Sequence, residues 1–275
     1  MLTQAQRRRF DERGVLSLPG LLPSVDVERN RGEVHRICEK LGCRRRQQWS
    51  WDPSLAPGRV SKRLKKWSDR RSFMTPALHD AMTSLAGGAA LQPWSAKADL
   101  LVSRPSRRAG ADGALGPDAP ERTNRGTMPW HVDVPRLPQF GRVGVQMFTF
   151  LDTVAPGGGG TAVVTGSHRL LRGAALSISE VTEALKAEPF FKELLARDLS
   201  RTEGLFQVNG RVQGVDLEVH ELTGEPGDVV LMDLWVLHSR CANTRPVPRL
   251  MMTQRFLVPE ARGLMRTRYY EPPLV

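Results

Sequence analysis

From about residue 142 to residue 258 the chain repeats one pattern: short apolar, β-forming runs broken by glycine and proline. The runs fall at about 142–151, 161–164, 216–222, 228–232 and 249–258. Strands this short, at this spacing and with this punctuation, close into a β-barrel or pack as a sandwich. The reading is therefore a mainly β fold with flanking α. A chain of 275 residues is ample for a buried core, and we read residues 1–275 as a single domain.

The helices come first, in a part that spans about residues 1–95. Thr3-Gln4-Ala5-Gln6 opens a polar helix through Phe10, and Gly14 stops it. Val15–Leu18 reads as a strand, and Ser24-Val25-Asp26-Val27 starts a helix to about Leu41. Thr75-Pro76 opens another over 75–87, with proline at the first helical position. The β core spans about 96–260, starting with a strand at Ala98–Arg104. Residues 105–127, rich in Arg, Ala, Gly and Pro, read as a long loop, and a helical insertion is expected near 178–197.

Composition narrows the function classes. No run of 18 apolar residues is present, so no membrane span is expected, and the N-terminus lacks the apolar stretch of a secretory signal; a cytoplasmic enzyme is the default. Cys38, Cys43 and Cys241 are odd in number and poorly spaced for a zinc ribbon, and are read as free thiols. The net charge is +11, and only seven of the 40 basic residues are lysine. Basic runs at Arg44–Arg46, Lys62–Lys66, Arg70–Arg71 and Arg104–Arg108, interleaved with Trp49, Trp51, Trp67 and Phe73, raise the possibility of an anionic partner. Charge alone argues weakly for nucleic acid, so a small-molecule substrate is expected instead, with the protein a monomer or homodimer.

His131-Val132-Asp133 is the first feature that carries chemistry. In an extended segment residues i and i+2 point to the same side, so one imidazole and one carboxylate can grip one ion. His238, 107 residues on, is the best candidate for a third ligand. Two histidines and a carboxylate on one face leave the other positions open for a bidentate co-substrate and O₂, which is the arrangement of non-haem Fe(II) oxygenases. Arg249 follows His238 by eleven residues and shares a strand face with Met251, Thr253 and Arg255. An arginine deep in a barrel can form a bidentate salt bridge with the distal carboxylate of a keto-diacid.

Several stretches together resemble the phytanoyl-CoA dioxygenase family. They are Trp130–Asp133, the run Gly158–Arg169, Gly227-Asp228, and Leu237-His238 with Asn243 and Arg249. Phe10, Gly14-Val15 and Leu18–Leu22 resemble that family's N-terminal segment, and the resemblance runs from about residue 3 to about 260. It implies a double-stranded β-helix (jelly roll, cupin-like), with Fe(II) at His131, Asp133 and His238 and 2-oxoglutarate anchored by Arg249. It further implies decarboxylation to succinate and CO₂ with O₂ consumed, and, with Asp133 present, hydroxylation rather than halogenation. Two positions depart from the family's pattern: Arg240 stands where many members carry serine, with Ser239 one earlier, and Val132 stands where many carry glutamine.

The remaining candidates surround this set. Ser239, Asn243 and Thr149 are candidates for the co-substrate. Gln146 and Phe148 share one face of the strand after the motif and Thr149 the other, and the alternation does not fix which face looks into the barrel; Gln146 and Phe148 are the substrate candidates there. Trp130 and Trp235 read as pocket wall or as core packing, and Arg104 and Arg255 as substrate anchors or as surface arginines. Gly157–Gly160 reads as a tight turn rather than a phosphate cradle, because no Lys-Ser/Thr follows it. For His168, in the Gly-Ser-His segment, the resemblance implies a structural turn rather than a ligand role. Residues 105–127 and 178–197 are candidate lids. The alternatives kept in view are the same iron chemistry on nucleic acid or protein, and a non-catalytic binding module of the same fold.

Overall fold

The structure, a computed structural model, describes residues 1–40, 74–95, 98–103, 130–135, 137, 139–172, 183, 185–197, 204–245 and 247–270. The N-terminal helix α1 (Gln4–Arg13) starts at a reciprocal cap: the Thr3 hydroxyl accepts from the Gln6 amide at 3.1 Å and the Gln6 side chain accepts from the Thr3 amide at 2.8 Å. It ends at Gly14, in the left-handed region at φ 74°. Two further helices, α2 (Ser24–Lys40) and α3 (Pro76–Leu85), follow the sequence expectations closely, and Thr75 caps α3 by accepting from the Leu78 amide.

Ten strands lie among the described residues: β1 (Val15–Leu18), β2 (Gln92–Pro93), β3 (Asp99–Ser103), β4 (Gly144–Phe150), β5 (Thr161–Thr165), β6 (Asn209–Val212), β7 (Val215–Glu221), β8 (Val229–Asp233), β9 (His238–Arg240) and β10 (Arg249–Leu257). They form two antiparallel sheets. The larger runs β1-β8-β4-β10-β2, with β3 also paired to β10; the smaller runs β6-β7-β5-β9. This is a mainly antiparallel β fold with flanking helices. The strand patterns expected from the sequence are present, whereas β2, β6 and β9 carry two to four residues each, too few for a visible period. β6 and β7 join through Gln213-Gly214, both at positive φ (48° and 78°), the two-residue turn that matches strand twist.

Strand parity sorts the side chains into layers. Leu250, Met252 and Phe256 of β10 join Val145 and Met147 of β4 against α1, α2 and α3 on the outer face of the large sheet. Phe148, Phe150, Val230, Met232 and Met251 meet Val163 of the small sheet in the space between the sheets. The outer face of the small sheet (Ala162, Val164, Leu217, Val219) is covered by α5 (Pro189–Ala196), which follows the short helix α4 (Ser167–Leu171). A last helix, α6 (Pro259–Tyr270), buries Ala261 and Met265 beside Trp235.

The loop over 105–127, Arg104, most of the expected helix before residue 185 and the basic runs between 44 and 71 lie outside the described residues. Cys43 does too, while Cys241 is a buried free thiol whose burial pushes its pKa up to about 12. No described helix is long and apolar enough to cross a membrane.

Candidate metal centre

Two short backbone hydrogen bonds bring together ligands that are distant in sequence. The His131 amide donates to the His238 carbonyl at 2.9 Å and the His238 amide donates back at 3.0 Å, so residue 131 adds a bridge to the edge strand β9. Opposed residues in such a pair share a face. His238 also opposes Val163, which points between the sheets, so both imidazoles lie on that face with ring centroids 4.3 Å apart, His238 buried and His131 at the exposed rim. Asp133, two residues after His131, joins them: its Oδ1 lies 3.8 Å from His131 Nε2 and its Oδ2 lies 3.5 Å from His238 Nε2. The ligand atoms of the three residues all lie within 4.8 Å of one another.

Hydrogen bonds orient the ligand atoms. The His238 Nδ1–H donates to the Val236 carbonyl at 3.0 Å, which fixes the ring with Nε2 toward Asp133. Burial raises the Asp133 pKa, but His238 and Arg255 outweigh burial and hold the carboxyl well below the usual carboxylate range. Arg255 grips Asp133 with a two-pronged fork, Nε to Oδ2 at 2.9 Å and Nη2 to Oδ1 at 3.0 Å. Two of its donors are thus committed to a candidate ligand, a contact that its expected role as a substrate anchor does not include.

Arg249 lies on the same face of β10 and is 6% exposed. Its Nε has no hydrogen-bond partner, and among the described residues no carboxylate stands within ion-pair distance. Burial pushes its pKa down to about 10, so the guanidinium still carries its charge at neutral pH. Gln146 and Phe148 face the same space. The Gln146 amide donates to the Thr253 hydroxyl at 3.0 Å, its Oε1 is buried without a partner, and Phe148 packs in the apolar floor.

Other candidates fall elsewhere, and parity supplies the reason. Thr149 lies on the opposite face of β4 and donates to the Asp228 carbonyl at 2.9 Å, so it does not reach the centre. Ser239 opposes Ala162 on the outer face of the small sheet, and its hydroxyl donates to the Arg240 carbonyl at 3.4 Å. Asn243 donates its amide to the Val247 carbonyl at 2.7 Å and the Ser103 carbonyl at 3.3 Å, pinning its own loop. Trp130 alternates with His131 and packs on the outer face of the small sheet. Trp235, 1% exposed, is core beside α6. The Gly157–Gly160 turn is closed by the protein's own carboxylate: Glu221 accepts from the Gly157 amide at 2.7 Å and the Gly160 amide at 2.8 Å.

The fold is shared with known structures at low identity. The carbocyclase SnoK from nogalamycin biosynthesis, non-haem and α-ketoglutarate dependent, is 18% identical with a TM-score of 0.51; 93% of this chain and 84% of that one are covered. EctD from S. alaskensis with bound Fe is 16% identical with a TM-score of 0.54, over 94% of this chain and 77% of that one. EvdO2 from Micromonospora carbonacea var. aurantiaca, complexed with 2-oxoglutarate, is 16% identical with a TM-score of 0.52, over 94% and 91%. No curated protein matches the chain. The phytanoyl-CoA dioxygenase family model matches residues 10–251, a span that contains all three clustered ligands and Arg249. The chain belongs to the phytanoyl-CoA dioxygenase family, whose members are non-haem iron, 2-oxoglutarate-dependent oxygenases.

Proposed function

We propose that this protein hydroxylates an unactivated carbon of a small-molecule metabolite or natural-product intermediate: substrate, 2-oxoglutarate and O₂ give alcohol, succinate and CO₂. One observation carries the reading. Two imidazoles and a carboxylate converge between the sheets, on the same side as a buried arginine whose Nε has no partner. A buried guanidinium that leaves a donor unused is costly, so a site that keeps one is suited to an anion supplied from outside.

The donor set fits iron, with nitrogen and carboxylate oxygen on one face and room for further ligands. His131, Asp133 and His238 would hold the metal, and Arg249 would take the distal carboxylate of the co-substrate in a bidentate pair. Iron with O₂ and 2-oxoglutarate supplies an oxidant able to remove hydrogen from an unactivated carbon. The protein's own contribution is to keep Asp133 ionised, to orient Nε2 of His238 toward the cluster, and to line the adjoining space with Phe148, Met251 and Gln146. The biosynthetic roles named for SnoK and EctD's iron content support the small-molecule reading and the metal respectively.

The test is anaerobic titration of the protein with Fe(II) and 2-oxoglutarate. A weak visible band near roughly 500–530 nm is expected from a keto acid chelated on this ligand type. It should vanish in His131→Ala and need far more 2-oxoglutarate in Arg249→Met. Iron binding with no band would reject the 2-oxoglutarate assignment.

A further inference from the structure

Asp133 and Arg255 come from backbones of unequal rigidity. Arg255 sits in β10 with a strand on each side: it opposes Gln146 of β4, and its carbonyl accepts from the Trp94 amide at 2.9 Å. Asp133 lies in an irregular segment, joined to the small sheet through the His131–His238 pair two residues earlier. A carboxylate on such a segment can turn about its side-chain bonds unless something holds its plane. The Arg255 fork does so with two bonds of 2.9 and 3.0 Å, from the sheet opposite the one that carries the histidines. It spans the two sheets at the metal centre.

We propose that Arg255 is the positioning residue of this metal centre: it fixes the Asp133 carboxylate in ligating orientation and thereby sets iron affinity. The inference rests on the metal reading above. An ionised carboxylate offers about four acceptor sites, and a fork occupies two, so Asp133 can serve the arginine and a metal together. Two effects of opposite sign decide what removing Arg255 does. Its positive charge repels a metal cation, which favours tighter binding once it is gone. Its fork orders a ligand, which favours weaker binding once it is lost. The Arg255 side chain is 33% exposed and its charge is screened by water, while the Asp133 side chain is 9% exposed and has little solvent to reorient it. The ordering effect wins.

Fe(II) affinity measured anaerobically by competition with a fluorescent chelator tests this, on wild type, Arg255→Lys and Arg255→Gln, with thermal unfolding run on each. The fork predicts about a 10-fold or greater loss of Fe(II) affinity in both variants. Lysine keeps the charge but not the two-pronged geometry, so it should not restore binding. The loss should persist well below each variant's unfolding temperature, which a merely structural role would not produce. Wild-type affinity in Arg255→Lys, or unchanged or tighter binding in Arg255→Gln, would overturn the proposal while leaving the metal reading intact. Failure of wild type to bind Fe(II) would overturn both.

Discussion

His168 is fully buried beneath α1, where its Nε2–H donates to the Asp11 carbonyl at 3.1 Å. Its Nδ1 has no partner, and Gly14 lies so close that an added Cβ would sit 2.5 Å from that nitrogen. The role is structural, as the sequence reading held. Burial, with help from Arg172 and Arg142, pushes its pKa down to about 4 from 6.5, against the pull of Asp233. The unfolded chain therefore takes up a proton between those values that the folded chain refuses. Stability from this group is complete above pH 6.5 and declines as the pH falls toward 4, by up to about 3 kcal/mol. Chemical denaturation at pH 7 and pH 5 should show the decline, and His168→Gln should flatten it. An equal pH slope in that variant would assign the decline to other groups.

At the scale of elements, β10 shows how one strand serves two purposes. Its odd-numbered residues, Arg249 to Arg255, face the metal centre, and its even-numbered ones, Leu250, Met252 and Phe256, anchor the helices. A one-residue slip would exchange the two sets, so the core that fixes the register also fixes the site. A second junction is built on Asp233, which is fully buried at the end of β8. It accepts from Arg142 at 3.0 Å and Arg172 at 2.6 Å, and Arg142 reaches on to Asp11 of α1 and the Leu85 carbonyl of α3. Removing the carboxylate takes the ion-pair partner from Arg172 and leaves Arg142 with only Asp11 and the Leu85 carbonyl, beside an emptied buried site. Asp233→Ala should lose about 3–5 kcal/mol in a denaturant titration. A loss under about 1 kcal/mol would mean that water or another anion reaches the guanidinium groups.

At the scale of the molecule, the buried guanidinium of Arg249 sets function against stability. Arg249→Met removes a buried charge that forms no ion pair with the described residues and should make the metal-free protein more stable by about 1–3 kcal/mol. Fe(II) with 2-oxoglutarate should raise the unfolding temperature of wild type, by the equivalent of about 2.7 kcal/mol at a hundredfold excess over Kd, and add nothing through 2-oxoglutarate in the variant. A less stable Arg249→Met would show that the charge is already compensated in the apo fold. How much of this could be read beforehand follows from the range over which each feature acts. Periodicity and caps are local, so α1 with Gly14, α2, α3 and the longer strands could be read in the residues, as could His131 and Asp133, two apart on one extended segment. His238 and Arg249 are candidates from their place on the later strands, and the resemblance to a family pattern assigns them iron and 2-oxoglutarate. Parity is a tertiary outcome: the packing of Val145 and Met147 against the helices turned Thr149 away and Gln146 inward. The fork of Arg255 on Asp133 joins residues 122 positions apart. No local pattern encodes which of two same-face arginines reaches the ligand and which stays unpaired, because that depends on how the two sheets stack.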